Sequence, residues 1–402
     1  MVGGRSLRLC GGLLSVVLGF QAAAGAAPTD YIFANVVDSG SSFSSLSPYA
    51  TINNNDIVAF RGLYPDFSSG IYFGPGVGGA YGPDSGQLVT AVVESSVEPG
   101  EFSQFGTTGP AINNAGQFAF WGFKNGVGGG IYRSNGPGTL TTIVDPTRPS
   151  FNAFLNNPTI SDSGMVAFNA GDIAMGDGAD TVTVALRTSA GPTGTLHSPD
   201  HNSGLTFTFA ATLSTGTTGI YWLQSEPRLV VALAVSGSEF SGFGLTPAIN
   251  EHDTVAFRGI LAGGGGGIYV DEYPIRYTIA ESSDGYSNFA DPAINANGDV
   301  AFVATHLGKA GIFTGPDAEV DKVIGVGDPL FGSTLLALSA TPMRGQLNDH
   351  GDLVFWYRLT NGREGLAVAY YVPEPTTALM LGVGSLLLAT RRRMHMRSQP
   401  TM

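Results

Sequence analysis

The chain has 402 residues, with 32 Asp and Glu, 19 Lys and Arg and six His, so groups able to move protons or hold cations are plentiful. Few fall at a spacing that a reaction demands. H-E-x-x-H, G-x-S-x-G and the P-loop are missing, and His197, His201, His252, His306, His350 and His395 are scattered. The single cysteine, Cys10, lies near the start of the chain. Beyond it no thiolate metal site or disulfide framework is available. The carboxylates are numerous enough for the two-acid chemistry of a glycosidase, yet no spacing selects one pair. Asp172, Asp177 and Asp180 lie among glycines, and hard oxygen ligands on such a loop suit Ca²⁺. Their spacing departs from D-x-[DN]-x-[DN]-G, and no bidentate Glu follows. A solvated loop is the competing reading, and no cofactor is expected.

Recognition chemistry is the alternative. Arg61, Trp121, Arg258 and Trp356 each directly follow a Phe of the recurring pattern described below, and Tyr357 follows Trp356. Cations beside aromatic faces suit a glycan or a peptide. An arc of acids at Asp38, Glu94, Asp145, Glu281 and Asp328 is expected on the same rim, within reach of Arg61 and Arg258. The plainer reading is ion pairing that pins loops, at about 0–1 kcal/mol per exposed pair.

The elements that position these residues follow from composition and repetition. Glycine contributes 58 residues and charged residues only 13%, a profile of strands and turns rather than long amphipathic helices. The 43% hydrophobic fraction is ample for a core and excludes wholesale disorder. Within the chain one seed recurs: INNNDIVAF ending at Phe60, INNAGQFAF at Phe120, ISDSGMVAF at Phe168, INEHDTVAF at Phe257, INANGDVAF at Phe302 and LNDHGDLVF at Phe355. A second seed, Gly-Ile-Tyr, follows with its Ile 11 positions on at Ile71, Ile131 and Ile268. Counting back from Gly219-Ile220-Tyr221 places a degenerate fourth copy at Phe209, its motif almost lost. The third copy reads as carrying a six-residue insertion that holds the three Asp above.

Seven copies at a mean period of about 49 residues, each with four short strands, predict a seven-bladed β-propeller over residues 30–371. An open β-solenoid or two sandwich domains are the competing architectures. The last copy lacks its fourth strand, and the run Tyr31–Asp38 precedes the first copy as a spare. Joining the two closes a ring. The recurring Asn53, Asn113, Asn250, Asn295 and Asn348 read as turn residues bonding their own backbone. The first and fifth copies place Asp56 and Asp253 where other copies have Gly. The Ala-Phe pairs read as packing of small beside large where blades meet.

The two ends read as addresses. Residues 1–26 have a basic start (Arg5, Arg8), an apolar stretch and Ala24-Gly25-Ala26, the pattern of a secretory signal. Residues 372–402 contain Pro373-Glu374-Pro375, an apolar run of 15 residues and Arg391-Arg392-Arg393. This tail resembles the PEP-CTERM sorting signal of exosortase substrates. The body resembles choice-of-anchor proteins with NxxGxxAF tandem repeats, a group that implies no catalytic activity. The resemblance implies export, transient anchoring in the inner membrane, processing by an exosortase-type enzyme, and display at the outer surface or in an extracellular matrix. Exopolysaccharide and other surface proteins are the implied partners. Setting aside the six cations in the two addresses leaves 13 against 32 acids, a body near −19, which argues against nucleic acid. The expectation is a non-enzymatic interaction or structural module, with a carbohydrate-active hydrolase or lyase on the same scaffold as the alternative.

Overall fold

The structure is a computed structural model, described here over residues 31–39, 43–75, 90–95, 101–145, 147, 155–179, 181–185, 194–224 and 229–372. The expected signal at residues 1–26, Pro373, Glu374, Pro375, Arg391, Arg392 and Arg393 of the expected sorting tail, and Asp180 lie outside the described residues. Among those described, no helix is long and apolar enough to cross a membrane.

Seven antiparallel sheets form a seven-bladed β-propeller. In the sixth blade Val300–His306 is flanked by Lys309–Phe313 and then Lys322–Gly325. On its inner side it pairs with two short pieces, Tyr286–Ser287 and Ala293–Ile294. The innermost strand is therefore in two pieces, and the short strand that the sequence suggests over residues 292–295 is the second of them. The break falls near Pro292, which has no N–H to give to a ladder.

Register explains why the two seeds recur together. Phe60 lies opposite Tyr72, Phe120 opposite Tyr132, Phe209 opposite Tyr221 and Phe257 opposite Tyr269. Each pair stacks, with ring centroids 5.7–6.0 Å apart. Alternation along the strand sends the neighbouring Ala to the opposite face. Ala59 and Ile71 of the first blade pack against Phe102, Phe120 and Tyr132 of the second. Similar clusters join the other blades, including Ala210 with Phe240, Phe257 and Tyr269. The glycine before each Ile is needed because the tyrosine folds back over it. A Cβ at Gly70 would lie 2.6 Å from the Tyr72 hydroxyl oxygen.

Closure occurs as the strand count implies. Tyr31–Asp38 pairs antiparallel with Glu364–Tyr371 and completes the seventh blade. Val36 and Val37 are buried with Val58 and Phe60 of the first blade. Arg363 forms an ion pair with Asp38, and the Tyr357 hydroxyl donates to Asn35 Oδ1 at 2.8 Å.

Two copies differ from their sequence reading. The third copy carries no insertion between its second and third strands. Val166–Asn169 turns at once into Ile173–Gly176, and Ile173 pairs with Asn169 as Ile71 pairs with Arg61. Asp172 thus sits in one turn of Ile173–Gly176 and Asp177 in the turn at its other end, where its Oδ1 accepts the Ala179 N–H at 2.9 Å. Five residue steps along the strand separate them, roughly 16 Å, so Asp172 and Asp177 cannot share one Ca²⁺. The fourth copy has kept its seed in disguise as HNSGLTFTF, with Asn202 seven residues before Phe209 as Asn53 is before Phe60.

Val36 is 1% exposed at the closing seam. Val36→Asp, which buries an unpaired carboxylate there, is expected to lower stability by ~3 kcal/mol or more. A urea midpoint unchanged from wild type would show that the N-terminal strand does not close the ring.

Candidate functional site: the axial channel

The recurring asparagines form a ring around the channel mouth. Asn53 Oδ1 accepts the N–H groups of Asn55 and Ile57, each at 3.0 Å, as its turn requires. Its Nδ2 crosses to the next blade and donates to the Asn113 carbonyl at 2.9 Å. Asn113 donates likewise to Ser161, Asn202 to Asn250, Asn250 to Asn295, Asn295 to Asn348, and Asn348 back to Asn53, at 2.8–3.3 Å. All six amides are buried. The sequence reading found the turn half of this role and missed the link between blades.

The seventh seam, between blades three and four, has Ser161 in place of Asn. There His201 makes the crossing: Nε2 lies 3.1 Å from the Met165 carbonyl and Nδ1 3.0 Å from the Thr159 hydroxyl. A carbonyl only accepts, so Nε2 carries a proton; burial lowers the pKa of the ring and favours its neutral form, in which Nδ1 accepts from the Thr159 hydroxyl. Asp56 and Asp253 also find their reason here. Both adopt positive φ (56° and 63°) at the turn position where Gly116 and Gly298 do so freely. Each gives the preceding blade's amide a second acceptor: Asn348 Nδ2 to Asp56 at 3.2 Å and Asn202 Nδ2 to Asp253 at 2.7 Å.

A second tier lies beside this ring. The side chains of Asn114, Asp162, Glu251, Asp349 and Asn54 accept the backbone N–H of the preceding blade's turn at 2.7–3.1 Å. The carboxylates at the mouth are therefore structural acceptors. One trio, Asp56, His350 and Asp352, has donor atoms within 4.8 Å of one another. Burial and the neighbouring Asp352 raise the Asp56 pKa, while His350 lowers it. Both acids are hydrogen-bonded to the Asn348 amide, which accounts for their proximity.

Behind the mouth, the innermost strands repeat Pro-Ala-Ile-Asn at 110–113, 247–250 and 292–295. Ile112, Ile160, Ile249, Ile294 and Leu347 line both the vestibule at the mouth, of about 170 Å³, and an inner chamber of about 180 Å³. They form an aliphatic collar between the two. The inner chamber holds two ionisable groups of opposite sign, Asp200 from the fourth blade and Arg344 from the seventh. Asp200 Oδ2 accepts the Ile249 N–H at 3.1 Å, and Arg344 Nη1 donates to the Pro199 carbonyl at 2.6 Å. Burial raises the Asp200 pKa, and the charge of Arg344 opposes this. Burial lowers the Arg344 pKa, and Asp200 and Asp291 oppose that.

Asp200, His201 and Arg344 were not singled out by sequence reasoning as functional. Their signal was present as departures from the repeat: Pro199-Asp200-His201-Asn202 and Gly345-Gln346-Leu347-Asn348 stand where other blades have variants of Pro-Ala-Ile-Asn, and Arg344 directly precedes the second, at the place of Gly109, Thr246 and Asp291.

The residues that were singled out do not converge. Arg61, Trp121, Arg258 and Trp356 occupy equivalent strand positions on four different blades, the first, second, fifth and seventh, so no two share a blade. Arg258 pairs with buried Asp291 of the next blade at 2.8 Å rather than with Glu281. Asp291 also accepts the N–H groups of Leu245 and Thr246. Arg61 has Gly109 at the corresponding place in the next blade. Burial lowers its pKa, and its Nε is buried without a partner. Trp121 packs between the second and third blades. Trp356 packs against the first-blade seam, with the Arg358 guanidinium 5.6 Å from its ring. Tyr357 is fully buried, so it offers no stacking surface, which corrects that expectation. Glu94 and Glu281 accept the Tyr72 and Tyr269 hydroxyls, at 2.9 and 2.8 Å, rather than arginines.

Two outcomes test this account. Asn250→Asp keeps the turn acceptor and removes the donor to Asn295, so equilibrium unfolding should show a loss of ~1–2 kcal/mol. His201 bears on pH: burial pushes its pKa from the usual 6.5 of a free histidine down to about 4. Unfolding then takes up a proton between those values, so this contribution is complete above about pH 6.5 and is lost as pH falls towards 4. Wild type should lose up to about 3 kcal/mol more than His201→Ile between pH 7 and 4. Parallel urea midpoints in the two proteins would assign the acid sensitivity to other groups.

No curated protein sequence matches the chain. Among solved structures it is similar to TolB from Acinetobacter baumannii, at 13% identity over 68% of this chain and 62% of that one, with a TM-score of 0.39. A puromycin hydrolase is similar at 11% identity over 83% and 53%, with a TM-score of 0.49. YCF48 bound to D1 peptide is similar at 11% over 85% and 96%, with a TM-score of 0.43. The chain spans less than two thirds of the first two, and likenesses at this level say nothing about the chemistry of the site. Residues 33–379 match the model of the family of unknown function DUF7453, and the chain belongs to that family.

Proposed function

We propose that the chain is an exported interaction or structural module of a bacterial outer surface or extracellular matrix, and that it binds through its propeller rather than catalysing a reaction. The observation that carries this reading is the character of the channel. The inner chamber presents one carboxylate and one guanidinium from different blades, whereas glycoside hydrolysis calls on two carboxylates set on either side of a bond. The acids at the mouth, Asp162, Glu251 and Asp349, each accept a neighbouring backbone N–H. A carboxylate held in that way positions a turn. Export and sorting are supported by the sequence of residues 1–26 and of 372–402, with Pro373-Glu374-Pro375 as the processing element and Arg391, Arg392 and Arg393 as the cytoplasmic stop.

Cells with and without a functional exosortase-type enzyme separate the outcomes. In its presence the protein should reach the outer surface or the matrix with its C-terminal segment removed, as read by mass spectrometry. In its absence the uncut chain should accumulate in the inner membrane. The same distribution and the same mass in both strains would overturn the sorting half of the proposal. Turnover of a matrix polysaccharide by the purified chain would overturn the non-enzymatic half.

A further inference from the structure

We infer that the inner chamber of the axial channel binds a small monocarboxylate that also carries a hydroxyl or ammonium donor. The inference rests on reading the chain as a binding module, and it names the ligand class.

Arg344 supplies the first argument. Its guanidinium makes one hydrogen bond, from Nη1 to the Pro199 carbonyl, and it forms no ion pair with any carboxylate among the described residues. Its Nε and Nη2 donors have no protein acceptor among those residues either. Arg344 is half-buried, and the chamber it lines includes the polar side chains of Thr51, Thr159, Thr246 and Gln346 beside Ile160 and Ile249, so its unused donors are open to an anion that enters. The planar fork of donors fits a carboxylate in bidentate fashion.

Asp200 narrows the choice. It lines the same chamber and acts electrostatically on Arg344. A dianion would set two negative charges against it. A monoanion with a donor group on the next carbon offers its carboxylate to Arg344 and its donor to Asp200. Size and field point the same way. About 180 Å³ accommodates a molecule of a few heavy atoms rather than a chain. The strongly acidic body repels polyanions at long range. Arg344 lies in a turn four residues before Asn348, and it lines the inner chamber but not the vestibule, so the chamber sits on the side of the collar away from the asparagine mouth.

Isothermal titration of the purified full chain tests the assignment with three probes: sodium lactate, its neutral amide lactamide, and inorganic phosphate. Lactate should bind with one site per chain, lactamide should give no saturable heat, and phosphate should bind more weakly than lactate. Arg344→Gln should weaken lactate binding at least about tenfold, with a thermal midpoint showing that the variant is folded. If that variant does not fold, the comparison of lactate with lactamide on wild type decides alone. Equal binding of lactate and lactamide, tighter binding of phosphate, or no saturable lactate heat on wild type would each overturn the assignment. Such a failure leaves the exported-module reading standing, because that is decided by localisation and C-terminal mass in cells.

Discussion

An asparagine side chain has two hydrogen-bonding ends, and this ring depends on both being used at once. The oxygen closes a turn within one blade, and the nitrogen reaches the matching carbonyl of the next. Each link contributes only ~1 kcal/mol net, yet leaving a buried amide half-satisfied costs more than the bond returns. Every blade is thereby held at the same height and the same angle as its neighbours. That alignment lets the Ala–Ile face of one sheet receive the Phe–Tyr face of the next. No blade could bury those faces alone, so the hydrophobic effect supplies the adhesion and the amide ring supplies the registration.

The ring tolerates defects only where something replaces the missing link. Ser161 removes an amide from the third blade, and His201 restores a crossing with two hydrogen bonds of its own. Asp56 and Asp253 sacrifice the freedom of glycine at a left-handed turn and return an additional acceptor across the seam. These departures share a logic. A position under structural duty changes only into something that performs the duty differently. Arg344 and Asp200 are another kind of departure: Arg344 stands where other blades have Tyr49, Gly109, Thr246 or Asp291, and Asp200 where they have Thr51, Ala111, Ala248 or Gln346. Repetition makes such exceptions visible, and they are where chemistry enters an otherwise uniform channel.

Much of the architecture was legible in the sequence. The number of blades, the pairing of the two seeds and the closing of the last blade by Tyr31–Asp38 all follow from spacing along the chain. Spacing reports local geometry, and a blade is a local object of about 49 residues. Two local errors had local causes. Ile173 was overlooked because the hairpin of the third blade shortened instead of lengthening. Asn202 was overlooked because His201 replaced the expected isoleucine beside it.

The site was less legible because it is made between blades. Nothing local tells that Asn348 will meet Asn53, 295 residues away, or that Tyr357 will be sealed under the N-terminal strand. Arg61, Trp121, Arg258 and Trp356 look like a set in the sequence because they share a position in the repeat. Sevenfold rotation carries equivalent positions to separate blades, so a shared position in the repeat keeps them one blade or more apart on any off-axis circle. Only positions facing the axis converge. The sequence by itself thus determined the unit, its number and its closure. The tertiary structure alone decided which residues meet, because rotation about one axis gathers the innermost strands and disperses everything else.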